Sequence, residues 1–335
     1  MLFSIIVPVY NSSKYINRCL DSIFCQKFDD YEILLVDDGS TDESPEICDD
    51  YANRYPCIRV IHKSNGGTVS ARRTGVKESK GEYILSIDSD DYIDEDYFEV
   101  IHNEIVKSNF PSMLAWSYKS VDEISGSVKK ISNQNSALGN YLNENIKLLK
   151  EGFLYNNKLP NLNYGSLLYS FWTKAIKREL LLDAFMSFKN DINYGEDLIC
   201  VKRILDNPSC TSVTVIDYYG YNYVDNSNSL INLSYSIKKA KSYEQTVVEL
   251  KNDFSDEENK IAIYSIRALL GLLYSMSKVS NKYKDFLTQV KESFCCKNLW
   301  VYAKKAKITK SKKDKLKIFL IKAKCFRVLY KIYRR

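Results

Sequence analysis

Short apolar runs alternate with stretches of helical spacing over the first hundred residues. Phe3–Val9 is an apolar run that gives way to Tyr10-Asn11, as a strand entering a loop does. Tyr15, Ile16, Cys19, Leu20 and Ile23 then recur at helical spacing, with Asn11 or Ser12 as candidate caps. Tyr31–Val36 reads as a second buried strand, stopped by Asp37-Asp38-Gly39-Ser40, and a helix from Thr41 or Asp42 to about Ala52 follows. Cys57–Ile61 predicts a third strand, Asn65-Gly66-Gly67 a turn, and Val69–Lys77 a helix. Glu82–Ile87 predicts a fourth strand that runs into Asp88-Ser89-Asp90-Asp91. This alternation predicts an α/β fold with a mostly parallel sheet covered by helices. Ligands of such sheets sit beyond the carboxyl ends of the strands, where the three polar clusters fall. From 112 to about 225 the pattern is mixed, with helical segments at Thr173–Ala184 and Asp197–Leu205, and 236–295 reads as mostly helical.

A length of 335 residues suits one large domain plus a smaller appendage. No run reaches the eighteen or so apolar residues of a membrane span. The start, MLFSIIVPVYNSS, has no basic leader or small-residue cleavage site, so a cytoplasmic protein is expected. Nine scattered cysteines without a CxxC pair point to reduced thiols rather than a zinc site or disulfide framework. Two histidines, His62 and His102, argue against a His-rich metal centre and a Ser-His-Asp hydrolase. The net charge of +6 is unevenly spread: residues 304–335 hold fourteen Lys/Arg and one acid, so the other 303 residues carry −7. A uniformly basic nucleic-acid binder does not have that distribution, and no nucleic-acid partner is expected.

Two carboxylates one residue apart at a strand end, Asp88 and Asp90, can face one hard divalent cation, which neutralises a nucleoside-diphosphate leaving group. By itself the cluster is weak evidence and reads more readily as acids capping a helix, since Asp94 and Glu95 follow. The ordered set SIIVPVYN, EILLVDDGSTD, NGGTVSARRTGV and GEYILSIDSDD resembles the family-2 glycosyltransferases of bacterial surface-polysaccharide type. The likeness is close over residues 3–95 and looser to about 230. It implies the GT-A fold, with a Rossmann-like nucleotide-binding sheet, a mixed acceptor-side region and a helical C-terminal part. It implies a domain over 1–230 (1–111 for the nucleotide-sugar, 112–230 for the acceptor); the helical pattern adds an extension over 231–303 and the charge run a basic tail over 304–335.

The resemblance also implies roles. Pro8, Tyr10 and Asn11 look like a first loop over the nucleotide base, and Asp38 like the carboxylate that accepts from the ring N–H of uracil. Asp37 reads as a loop-fixing acid, and His62 as a polar contact or a structural histidine. Gly66 and Gly67 let backbone approach the ligand, and Arg72 looks placed for donor phosphate or sugar. Asp90 is assigned to a metal (Mn2+ or Mg2+), Asp88 to ribose or metal, and Asp91 as a further ligand. Glu196-Asp197 resembles the pair that opens an acceptor-side helix, with Asp197 as general base, although acids also suit any first helical turn. Trp172 reads either as a sugar-stacking ring or as core, and Tyr218, Tyr219, Tyr221 and Tyr223 either as an acceptor groove or as strand packing.

The turn after the first strand, Val9-Tyr10-Asn11-Ser12, lacks the glycines of a pyrophosphorylase or a dinucleotide-binding dehydrogenase. The reaction that the resemblance implies is inverting transfer of a hexosyl or N-acetylhexosaminyl group from a UDP-sugar to a lipid-linked saccharide. The tail predicts one basic amphipathic helix on an anionic membrane surface, with Lys317, Lys324, Arg327, Lys331 and Arg334 on one side and an apolar face packing on lipid or protein. The expected location is peripheral, on the inner face of the cell membrane.

Overall fold

The computed structural model describes residues 1–131, 138–152, 170–188, 192, 195–225, 235–254, 258–306 and 312–334. The chain forms two compact units. The first is built from the described residues of Met1–Phe153, Leu159–Asp191 and Cys200–Asn226, the second from those of Ile192–Ile199 and Ser227–Arg335.

The first unit begins with β1 (Phe3–Val9), α1 (Ile16–Phe24), β2 (Tyr31–Asp37), α2 (Ser44–Arg54), β3 (Ile58–His62), α3 (Thr68–Glu78) and β4 (Tyr83–Ser86). It continues through β5 (Tyr92–Ile93), α4 (Tyr97–Lys107), β6 (Met113–Ala115), β7 (Tyr118–Asp122), β8 (Val128–Ile131), β9 (Gly139–Leu142) and α5 (Ile146–Gly152). Then come β10 (Lys174–Lys177), α6 (Arg178–Met186), the part of α7 (Glu196–Asp206) from Cys200 onward, β11 (Ser212–Val215) and β12 (Tyr221–Asp225). The main sheet has the order β3-β2-β1-β4-β10-β6-β11-β9, and a small sheet has the order β5-β12-β7-β8. β1–β4 are mutually parallel, and β10 enters antiparallel between β4 and β6.

Six of the seven β1 residues are buried, as expected of a central strand with both faces covered. Its one hydroxyl is accounted for: Ser4 Oγ donates to Glu32 Oε1 at 2.7 Å and accepts from Gly81 N–H at 2.8 Å. α1 turns Ile16, Cys19, Leu20 and Ile23 into the core that Phe3, Ile5, Tyr97, Phe98 and Trp116 complete.

Several sequence expectations are corrected. α1 starts at Ile16 with neither Asn11 nor Ser12 as its side-chain cap; the Ser12 carbonyl accepts from Tyr15 and Ile16 instead. α2 starts at Ser44, where Pro45 suits a first turn. The helix expected over Thr173–Ala184 is a 3-10 turn (Phe171–Thr173), strand β10 and then α6. Pairing to β4 and β6 overrides the local pattern there. Of the four alternating tyrosines, Tyr221 and Tyr223 lie in a strand and Tyr218 and Tyr219 precede it.

The second unit is helical: α8 (Ile237–Asp253), α9 (Glu258–Val279), α10 (Tyr283–Glu292), α11 (Lys297–Lys305), α12 (Lys312–Lys322) and α13 (Phe326–Arg334). α9 is the axis, with Ile266, Leu269, Leu272, Leu273 and Met276 buried and α8, α10, α11 and α13 against it. The expected single tail helix is two helices, parted near Lys324, whose φ is +55°. No described helix is long and apolar enough to cross a membrane.

Candidate active site

Strand register builds the site. Val9 pairs with Asp37 and Asp37 with His62, so the ends of β1, β2 and β3 lie side by side. Pro8 is half-buried in β1 and Tyr10 is exposed just beyond it. Asn11 sits in the left-handed region at φ +50°, accepts from Thr41 N–H at 2.8 Å and donates its own N–H to Ser40 Oγ at 3.0 Å. The loops after β1 and β2 are thereby tied together.

Asp37 holds the second loop from beneath, accepting from Ser40 N–H at 2.9 Å and facing His62 Nδ1 at 2.9 Å. His62 Nε2 faces Asp49 of α2 at 3.1 Å. Hydrogen bonds to Asp37 and then Asp49 raise the His62 pKa. Burial works to raise Asp37, but the His62 and Ser40 contacts outweigh it and hold that carboxyl below its usual range. His62 thus bridges Asp37, at the end of β2, to Asp49 of α2.

Asp38 is buried, at 3% exposure, and fully engaged. Its carboxylate accepts from Gly67 N–H at 2.6 Å, from Gly66 N–H at 3.0 and 3.1 Å, and from the Lys63 ammonium. Gly39, at φ +73°, lets the loops close, since a Cβ there would stand 2.9 Å from Asn65 N. Lys63 was not singled out from the sequence, where it is one lysine among many.

The third cluster follows β4. Arg72, on α3 and almost wholly buried, donates from Nη2 to Asp88 Oδ1 at 2.8 Å. Beside it a small cavity is lined by Ser86, Phe171 and Lys174. Ser89 Oγ and Ser12 Oγ share a hydrogen bond at 2.7 Å, and Arg18 Nη2 donates to the Asp90 carbonyl at 2.6 Å. Asp88 and Asp90 are half-buried. Asp91 turns into the core, where its carboxylate accepts from Tyr221 Oη at 2.7 Å and Val224 N–H at 2.8 Å. Burial, then the charges of Asp90 and Asp88, push Asp91 well above the usual carboxylate range, against those two donors.

Tyr221 also accepts from Asp88 N–H at 3.2 Å, so one phenol braces both ends of the acidic turn. Only alternation flagged this residue in the sequence; its role depends on β12 pairing with β5. Trp172 stacks on Tyr221 at 4.7 Å and 21° and meets Tyr118 edge-on at 4.6 Å and 88°. It is half-buried and extends the aromatic cluster behind the acids.

Glu196 and Asp197 open α7, Glu196 buried and Asp197 half-buried. The start of α7, up to Ile199, groups with the second unit. Gly195 precedes them at φ +86°, and a Cβ there would stand 2.6 Å from Tyr264 Oη and 2.9 Å from Thr246 Cγ2. The structure thus brings Asn11, Asp38, Gly66, Gly67, Arg72, Asp88 and Asp90 to the strand ends of the first unit, and locates Glu196 and Asp197 in the second.

Residues 4–170 match the model of glycosyl transferase family 2. The uncharacterized glycosyltransferase EpsJ of Bacillus subtilis is 33% identical over 70% of this chain and 64% of its own length. The chain spans smaller shares of several other curated relatives. Among solved structures, TarS 1-349 of S. aureus in complex with UDP-GlcNAc superposes with a TM-score of 0.61 at 21% identity, covering 100% of this chain and 91% of that one. The mannosyltransferase PcManGT of Pyrobaculum calidifontis, in complex with GDP-Man and Mn2+, gives 0.53 at 15% identity, covering 89% and 86%. The fold is GT-A, and the chain belongs to glycosyl transferase family 2.

Proposed function

We propose that the chain is an inverting, metal-dependent glycosyltransferase. It moves a hexosyl or N-acetylhexosaminyl group from a UDP-sugar to a hydroxyl of a lipid-linked saccharide, in surface-polysaccharide assembly at the inner face of the cell membrane. The observation that carries the reading is the single rim of one sheet where the Asp38-held glycine turn follows β2 and β3 and the Arg72–Asp88 pair follows β4. UDP-GlcNAc bound in the TarS neighbour supports a UDP donor. A carboxylate has about four acceptor positions; in this reading the uracil N–H takes the one that Lys63 holds in the free protein. Pro8, near the end of β1, and Tyr10 and Asn11, in the loop after it, flank the base.

Asp88 and Asp90 fit a divalent cation such as Mn2+ or Mg2+, which takes one or two carboxylates and completes its shell with phosphate oxygens and water. Among the described residues no group of three or more His, Cys, Asp or Glu could hold a metal, and the reading uses Asp88 and Asp90 alone. Asp91 is left out because both of its oxygens are engaged in the core. When bound, the cation neutralises the charge of the departing diphosphate. Arg72 orients Asp88 and adds positive charge to the rim. Asp197 takes the acceptor proton, with Glu196 supporting it, in a single displacement that inverts the anomeric centre.

Calorimetric titration of UDP, GDP, CDP and dTDP, with Mn2+ and with EDTA, tests the reading. UDP is expected to bind best, and at least about tenfold more weakly without metal or in Asp90→Ala. Equal binding in all three conditions would end the metal assignment, and a preference for GDP or dTDP would end the uracil argument. Transfer assays with UDP-sugars then report the product's anomeric configuration by NMR coupling.

A further inference from the structure

The tail does not spend its apolar residues as one face. Ile318, Ile321, Phe326, Leu329 and Tyr333 are buried within the second unit. α13 packs on α9 and α10, and Tyr330 Oη donates to the Ser280 carbonyl at 3.0 Å. What α12 turns outward is a different stripe: Lys315, Leu316, Phe319, Lys322 and, just past its end, Ala323. Their spacing keeps them on one side of a helix. Leu316 is 52% exposed and Phe319 63%, the most exposed large apolar side chains among the described residues of the tail.

Single exposed apolar residues are ordinary. Two at i and i+3, bordered by lysines, are not. Lys324, Arg327, Lys331 and Arg334 are exposed as well, and residues 315–334 contain no Asp or Glu. A second copy of the same face would bring cations against cations. An anionic bilayer satisfies both features, because headgroups take the charges while the two apolar side chains enter the acyl boundary.

We propose that the outward stripe of α12 is a docking face for an anionic lipid surface, with Leu316 and Phe319 as the inserted residues. Lys315 and Lys322 lay their stems along the apolar pair and reach their ammonium groups to the headgroups. The inference does not rest on glycosyl transfer. A site near a membrane would suit a lipid-linked acceptor, but the surface stands on exposure and charge alone.

The test uses the full chain with vesicles of phosphatidylglycerol and phosphatidylcholine, and with vesicles of phosphatidylcholine alone. Co-sedimentation should show binding to the anionic vesicles only, weakening as salt rises. Leu316→Ser/Phe319→Ser should lower that partitioning at least about tenfold, with its melting temperature and UDP affinity unchanged. Lys315→Gln/Lys322→Gln should weaken binding and flatten the salt dependence. Absence of binding at low salt, or a serine variant that binds like the parent, overturns the proposal. So does a parent that elutes as a dimer while the serine variant elutes as a monomer, since a second copy would then own the face.

Discussion

Replacing Asp38 with asparagine removes one charge and almost no volume, from a carboxylate that is 3% exposed and meets three donors. Asparagine keeps one carbonyl oxygen. If that oxygen serves Gly66 and Lys63, the Gly67 N–H, now 2.6 Å from Oδ2, faces an amide NH2. Hydrogen bonds to a charged group contribute about 1.5–3 kcal/mol, and a buried donor left unsatisfied costs about 1–3 kcal/mol. One bond lost outright and the Lys63 contact weakened together come to about 3 kcal/mol. At about 2–4 °C per kcal/mol for a domain of this size, the melting temperature should fall by about 6–12 °C. UDP affinity should fall at least about tenfold, because the turn loosens and the base loses its acceptor. Differential scanning fluorimetry and calorimetry read the two effects separately. A variant that melts within about 2 °C of the parent and binds UDP as well would refute the reasoning. A large melting loss with unchanged affinity would keep the clamp and discard base recognition.

Asp197→Asn should lower turnover by about 10²–10⁴ at unchanged UDP affinity; full activity in single-turnover assays would pass the base role to Glu196. His62 gains stability from its raised pKa, present below about pH 6.5 and lost as pH rises through the raised value. Asp37, with its lowered pKa, contributes above about pH 3.9, and that contribution is lost as pH falls through the lowered value. The parent's melting temperature should therefore fall from about pH 6 to pH 9 more steeply than that of His62→Gln, and parallel profiles would count against the bridge. Gly75→Ala puts a Cβ 2.5 Å from Ile6 Cγ2. Overpacking of about 1–3 kcal/mol, eased by about 1 kcal/mol of helix propensity, should leave a net destabilisation of up to about 2 kcal/mol in urea titrations.

The first four strands and the polar clusters at their ends were legible because a buried parallel strand needs an unbroken apolar run, and its end needs polar loop residues. Asp38 and Arg72 were legible by resemblance, but their partners were not. Lys63 precedes the turn without any pattern to mark it, and Tyr221 lies some 130 residues from the acids it braces. β10 was read as helix because Lys174–Lys177 carries no alternation strong enough to announce a strand; its conformation is set by two neighbours distant in sequence. In the tail, helical periodicity located the apolar positions. It could not tell which would be consumed by packing on α9, and so overstated the free apolar face.

The antiparallel seat of β10 has a consequence for biosynthesis. β3, β2, β1 and β4 are complete once the ribosome has passed Ser86, but the strand that covers β4 lies roughly ninety residues downstream. At about 5–20 residues per second, the free edge of β4 waits on the order of 5–20 s for its partner. Tyr83–Ser86 is short and wholly buried in the finished sheet, an apolar segment open meanwhile to the wrong strand. Polar residues just before it, Lys80 and Glu82, flank that edge as gatekeepers do. Nascent chains stalled between the two strands should be the species most in need of a chaperone.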